Sequence, residues 1–191
     1  NNMNFGDGVI AQVNTTSLDY DGTANFFVAT EKNASISVGA DVGGKAAIWL
    51  GNDNFVGDIR TIDASASTVK AELAGNDADN TITAGSGDSS LWGGNLGDDL
   101  LIGGNGRNMF FYTNANGSDT ISGAKAGDIV YLSQITLDQI ASTGVENNVA
   151  TINFTDGGKL TIGDASNATY VMTQGDQSQV YKVNETGFVA G

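Results

Sequence analysis

Cysteine, histidine and proline are all missing from these 191 residues, and 8 basic residues stand against 22 acidic ones. Without cysteine there is no disulfide and no thiolate metal site. Without histidine there is no Ser-His-Asp triad, no Cys-His pair and no H-E-x-x-H zinc site. The lack of proline suits a long hydrogen-bonded ladder, in which each proline would remove a donor. A net charge of −14 disfavours nucleic acid and anionic membranes as partners and favours cations. No apolar run approaches transmembrane length, so no membrane insertion is expected, and Asn1–Ile10 does not read as a secretory signal. The chain starts without methionine and stops at Gly191, which reads as a piece of something larger.

What is present is glycine, 27 of them, between short β-rich runs. Hydrophobic residues at 40% and charged ones at 16% are enough for one folded domain and rule out a wholly disordered chain. Asn25–Thr30, Ala34–Val38, Ala46–Leu50, Ile59–Asp63 and Val69–Leu73 read as strands, separated by Gly/Asn/Asp clusters at 39–44 and 51–58. Only Thr136–Ser142 carries a trace of helical periodicity. From Val145 the pattern reads as antiparallel. Val149–Phe154 and Lys159–Ile162 flank a glycine-bearing turn at 155–158, and further strands follow near Tyr170–Thr173 and Val180–Val183. Such a tail would cap the open end of a stack of coils.

Between Gly75 and Phe111 the chain repeats itself about every nine residues. Its rows are Gly75–Thr83 (GNDADNTIT), Ala84–Gly93 (AGSGDSSLWG), Gly94–Ile102 (GNLGDDLLI) and Gly103–Phe111 (GGNGRNMFF). Each has a glycine-rich turn, then a small polar residue at position six and an apolar one at position eight: Ile82, Leu91, Leu101, Phe110. Gly117-Ser118-Asp119-Thr120-Ile121 follows, then Ala126-Gly127-Asp128-Ile129-Val130-Tyr131-Leu132-Ser133. The G-G-x-G-x-D-x-U-x period and this closing order resemble the haemolysin-type calcium-binding repeats of the RTX class. The resemblance covers Gly75–Ser133, about a third of the chain.

That resemblance implies an all-β fold, a right-handed parallel β-roll or β-solenoid with an antiparallel C-terminal hairpin cap. Irregular coils would span 1–74, the roll 75–133 and the cap 134–191. It also implies calcium (Ca2+), bound between turns n and n+2 on one side by position-six carboxylates and inward-facing carbonyls. Calcium takes six to eight oxygens at about 2.3–2.6 Å, and glycine turns can turn their carbonyls toward it. Carried onto this sequence, one side stacks Asp79, Asn80, Gly97, Asp98, Asp99, Gly117 and Asp119. The other stacks Gly87, Asp88, Ser89, Gly106 and Asn108. The first side has the carboxylates and is the expected calcium site, with roughly millimolar to submillimolar affinity. The second has none at position six and would hold an ion weakly.

A metal-free alternative stays open, because Asn, Asp and Ser are also the commonest turn formers. Gly51-Asn52-Asp53-Asn54-Phe55, Asp7, Asp19, Asp21, Asp41 and Asp63 read as turn residues, and Asp128 as a cap on the closing turn. Trp92, Phe111 and Tyr112 fall near one outward edge, where aromatics can stack on sugar rings or pack beneath the cap. The two tryptophans are far apart in sequence, and Thr and Ser show no regular T-x-T rank. No G-x-S-x-G elbow is present, and Asp-Gly turns are poor settings for an acid of raised pKa, so the chain does not read as an enzyme. The expected function is a non-catalytic, calcium-stabilised module of a secreted or cell-surface bacterial protein of S-layer or adhesin type. It would leave by type I secretion and fold on meeting calcium. Its other partners would be neighbouring subunits or cell-surface glycans. The alternatives are a carbohydrate- or partner-binding module on a calcium-independent solenoid, and the accessory C-terminal domain of a secreted enzyme.

Overall fold

Strands dominate the computed structural model, which describes residues 2–5, 10–13, 26–29, 32–40, 43–51, 53, 55–113 and 117–191. Asp7, Asp19, Asp21, Asp41, Asn52 and Asn54 lie outside the described residues. The fold is all-β, with two large mixed sheets of nine and eight strands and, among the described residues, no closed barrel. A three-stranded sheet joins Asn2–Phe5, Phe26–Ala29 and Phe55–Val56.

Successive strands alternate between the two large sheets. Ile59–Asp63, Thr81–Thr83, Leu100–Ile102 and Ser118–Ser122 enter the nine-stranded sheet. Lys70–Ala74, Ser89–Trp92, Asn108–Tyr112 and Ile129–Ser133 enter the eight-stranded one. Within each set, successive strands pair in parallel, each with the strand two places on in the chain. Strand side chains alternate faces, so one apolar residue per short strand is enough to build a core. Ile36, Ile62, Ile82, Leu101, Ile121 and Ile162 align inward across the nine-stranded sheet. Ile48, Leu73, Leu91, Phe110, Val130 and Tyr170 align inward across the other. None of these twelve is more than 2% exposed, and burying each aliphatic side chain contributes about 1.5–3 kcal/mol.

Coils before Asp63 include a third side, since Phe55–Val56 is inserted between the strands of the two large sheets. Among the described residues from Gly75 to Ser133 that side is gone, and strands of the two large sheets simply alternate. The turns are glycine-rich because they rest directly on one another. A Cβ on Gly104 would collide with the Gly85 carbonyl below it. On the outer face of the nine-stranded sheet, Thr61, Thr81, Thr120, Thr161 and Thr151 share a row broken by Leu100. Threonines irregular in sequence thus fall into one rank, although the adjacent row of Asp63, Thr83, Ile102 and Ser122 is mixed.

The C-terminal segment is more than an antiparallel cap. Lys159–Ile162 and Thr169–Gln174 first continue the two sheets in parallel. Val149–Phe154 and Ile140–Glu146 then close one sheet antiparallel, and Gln177–Asn184 and Gly187–Ala190 close the other. The helical trace at Thr136–Ser142 is a single 3-10 turn, Leu137–Gln139, running into the strand Ile140–Glu146. That strand finds a ladder partner in Val149–Phe154, which outweighs a weak local helical preference. Tyr112 does not lie on the outward edge. It points inward and stacks on Phe154 at 5.1 Å, where burial pushes its phenol up.

Phe110→Ala should therefore lower stability by about 3–5 kcal/mol in urea unfolding. Phe111→Ala, one residue on and facing outward, should cost far less. Equal losses would contradict this alternation.

Candidate metal centre

In the turn stacks, the position-six side chain folds back over the glycine that opens its own turn. Asn80 Oδ1 fills the space a Cβ on Gly75 would need, and Asp99 Oδ2 does the same at Gly93. The structural rows are thus 75–83, 84–92, 93–102 and 103–111. The extra residue belongs to the turn at 93–99, where Leu96 stands exposed, and not to the Ala84–Gly93 row.

The first side comes together. Asn80, Asp99 and Asp119 are buried at successive turns. The Asn80 N–H donates to Asp99 Oδ1 at 2.8 Å, and the Asp99 N–H donates to Asp119 Oδ1 at 3.0 Å. An outer ladder runs the opposite way. The Asp98 N–H donates to Asp79 Oδ1 at 3.0 Å, and the Ser118 N–H to Asp98 Oδ1 at 2.7 Å. Gly97 and Gly117 stack within these turns, as Gly87 and Gly106 do on the other side.

The second side holds a carboxylate that the nine-residue period did not reveal. Asp128 is fully buried; its Oδ1 accepts the Asn108 N–H at 2.8 Å and its Oδ2 the Lys125 N–H at 3.1 Å. It is both the cap of the closing turn and the position-six residue that follows Ser89 and Asn108. The signal that could have found it is the matched step of 20 residues from Asp99 to Asp119 and from Asn108 to Asp128. Asp88 Oδ1 accepts the Arg107 N–H at 2.9 Å, while the Ser89 hydroxyl only reaches Gly87 O at 3.1 Å. Asp63, expected in a turn, is instead the last residue of its strand, and its side chain caps the turn that follows by accepting the Ser65 N–H at 2.9 Å; Asp53 is exposed.

Two turn carboxylates are far from ordinary, against the expectation for Asp-Gly contexts. Burial pushes Asp99 up to about 7; the Asn80 N–H opposes this, and the charges of Asp119, Asp79 and Asp98 add to it. Burial pushes Asp119 up to about 6, with the Asp99 N–H opposing and Asp98 adding. None of the three ion pairs among the described residues involves either group.

Whether calcium suits these turns depends on what already faces their oxygens. Among the described residues no three acidic side chains gather at one point, so an ion would rest on one or two carboxylates plus carbonyls. On the second side that place is taken. Asn108 Nδ2 donates to Gly104 O at 3.1 Å, to Gly106 O at 3.0 Å and to both Asp128 oxygens at 3.3 Å. The Lys125 ammonium also donates to the Gly104 carbonyl. An amide and an ammonium stand where an ion would, and this side does not fit calcium. Asn80 does likewise on the first side, its Nδ2 donating to Arg60 O at 3.3 Å and Asn76 Oδ1 at 3.1 Å. The Asp99 and Asp119 turns differ: their buried carboxylates face backbone donors but no countercharge. Their donor chemistry fits one hard cation.

No protein-family model and no curated protein matches this chain.

Without metal, the raised carboxylates weaken the fold at neutral pH. The folded pKa of Asp99, about 7, lies above its ordinary 3.8, so the folded chain holds the extra proton between those values. Stability is then fullest below about pH 4 and falls as pH rises through about 7. In EGTA, the melting midpoint should be higher at about pH 5 than at about pH 7.5. Asp99→Asn keeps an acceptor for the Asn80 N–H and should remove most of this slope. A midpoint that climbs with pH would contradict it.

Proposed function

We propose that this chain is a non-catalytic structural module, a right-handed parallel β-roll stabilised by calcium, from a secreted or cell-surface bacterial protein. The observation that carries this reading is the pair of buried carboxylates without countercharge, Asp99 and Asp119, at consecutive turns of one side. Calcium bound there supplies the missing positive charge. The chain does the rest: Gly93 leaves room for the Asp99 carboxylate, and Asn80 closes the neighbouring turn with its amide.

The same chemistry links folding to export. In a calcium-poor cytosol, acidic turns in a chain of net charge −14 repel one another and favour the unfolded, transportable chain. Outside, binding to the folded form alone adds stability by mass action. The RTX-like period supports this reading, and the parent inferred with it is of S-layer or adhesin type and leaves by type I secretion. Catalysis is disfavoured by the lack of histidine and cysteine and by the burial of the raised acids behind backbone hydrogen bonds.

A second reading, a calcium-independent stack, is favoured by the amides of Asn80 and Asn108 and the ammonium of Lys125 in ion-like positions. Thermal melts in EGTA and then in millimolar calcium separate the two. At a hundredfold excess over Kd, calcium should add about 2.7 kcal/mol, and magnesium should not replace it. Asp99→Ala should abolish the response, whereas Ser89→Ala should leave it intact. An unchanged midpoint in calcium would favour the metal-free stack.

A further inference from the structure

The outer face of the eight-stranded sheet carries two rows of side chains across its parallel strands. One row runs through Trp49, Ala74, Trp92, Phe111, Tyr131 and Val171. The row beside it, nearer the start of each strand, includes Ala47, Glu72, Ser90, Met109 and Ile129. Val180 and Val189 extend the face onto the two antiparallel strands, and both are exposed. Trp49 is itself 49% exposed, and a contiguous apolar face of this size in water marks a place of contact. Its rings pack on one another: the Trp49 and Trp92 centroids are 6.5 Å apart, and Phe111 stacks on Tyr131 at 5.1 Å. They form a closed, ridged surface, which suits another protein surface better than a small ligand.

The two edges of this face carry opposite charge. Where its parallel strands begin lie Lys45, Lys70, Arg107 and Lys125, against Asp88 and the buried Asp128 among the described residues. Where they end lie the exposed Asp77, Asp79, Asp98 and Asp138. The turns there, 75–80, 93–99 and 134–139, contain no lysine or arginine. Lys70 is exposed and takes part in none of the three ion pairs among the described residues.

We propose that a second copy of this chain covers this face, related by a two-fold axis that lies in the interface and runs along the stack of coils. Such an axis reverses strand direction and keeps each coil level with its own counterpart. The basic edge of each copy then meets the acidic edge of the other, twice over. An axis along the strands would instead set basic edge on basic edge. Centred between the two rows, the axis lays large residues on small ones: Trp49 on Ala47 and Trp92 on Ser90 of the second copy. Glu72 meets Ala74, the smallest member of the aromatic row, and keeps its ion pair with Lys45 at 2.7 Å. Lys182 is turned aside, its ammonium donating to Thr169 Oγ1. Lys70 comes over the 75–80 turn of the other copy, opposite Asp77.

The area is sufficient. Eight strands about 4.8 Å apart, with about five residues each at about 3.3 Å, make a face of about 600 Å². The pair buries about 1,200 Å², the lower bound for a specific, stable interface. This contact does not use the Asp99 and Asp119 carboxylates, so it is independent of calcium.

The test is sedimentation equilibrium of the intact chain over a concentration series, in EGTA and in calcium. A monomer–dimer equilibrium with a Kd of about micromolar order is expected in both. Trp49 and Trp92 are the chain's 2 tryptophans and both enter the contact, so emission should shift to the blue as concentration rises. Trp92→Glu, and Trp49→Glu on the edge strand, should each weaken the dimer about tenfold or more, with unchanged circular dichroism. Lys70→Glu and Asp77→Lys should each weaken it, and the two combined in one chain should restore it, because this orientation pairs those residues. A monomer at every concentration up to about 1 mM would overturn the proposal. So would a dimer indifferent to both tryptophan variants, or a charge-swapped chain that fails to recover.

Discussion

Everything in this molecule depends on one spacing. Parallel strands sit about 4.8 Å apart, and here the turns must keep that spacing as well as the strands. Strand backbones satisfy one another through the ladder, and some turn N–H groups do so too, Ser86 on Ser67 O at 2.9 Å and Asn105 on Gly85 O at 3.0 Å, but others need a side-chain acceptor. The chain answers with glycine where backbones touch and with side-chain acceptors where N–H groups point up or down the stack. Asp99 and Asp119 accept from the coil before, and Asp79, Asp98 and Asp88 accept from the coil after. Short polar side chains are therefore a structural need of the turns before they are anything else.

That need carries an electrostatic cost where the acceptor is a carboxylate. Asn80 and Asn108 accept an N–H from their own turn and donate their amides to nearby carbonyls, and they bury no charge of their own. Asp99 and Asp119 satisfy the same kind of donor but bring a charge into a largely buried site. A turn carboxylate is then metastable. It takes up a proton, or it takes up a cation. The proposed calcium response and the acid dependence of the metal-free chain express this single imbalance.

Stacking also creates ends and faces. Each large sheet is closed at its C-terminal side by two antiparallel strands, which occupy the ladder edge that another chain could join. The Tyr112–Phe154 stack ties this closure to the last regular coil. On the outside, stacking turns single aromatic residues into a continuous row, since residues at equal places in successive coils must be neighbours. A surface can thus be assembled without any local cluster in the chain.

The division between what the chain announces and what the fold decides follows from these facts. The all-β class, the short strands around Ile36, Ile48 and Ile62, and the grouping of Asn80 with Asp99 and Asp119 were legible in the residues alone. Period-two alternation and glycine spacing are local, and local patterns survive in a linear sequence. Four things were not legible: the shift of the extra residue into the 93–99 turn, Asp128 as the third member of the Ser89–Asn108 stack, the inward turn of Tyr112, and the Trp49–Trp92 pair. Each depends on the register between coils, where the repeat steps by 18, 19 or 20 residues and no single period predicts the contact. The burial that raises Asp99 was hidden for the same reason. An aspartate in a glycine turn reads as exposed and acidic until the neighbouring coils close over it, and only the stacked backbone decides that they do.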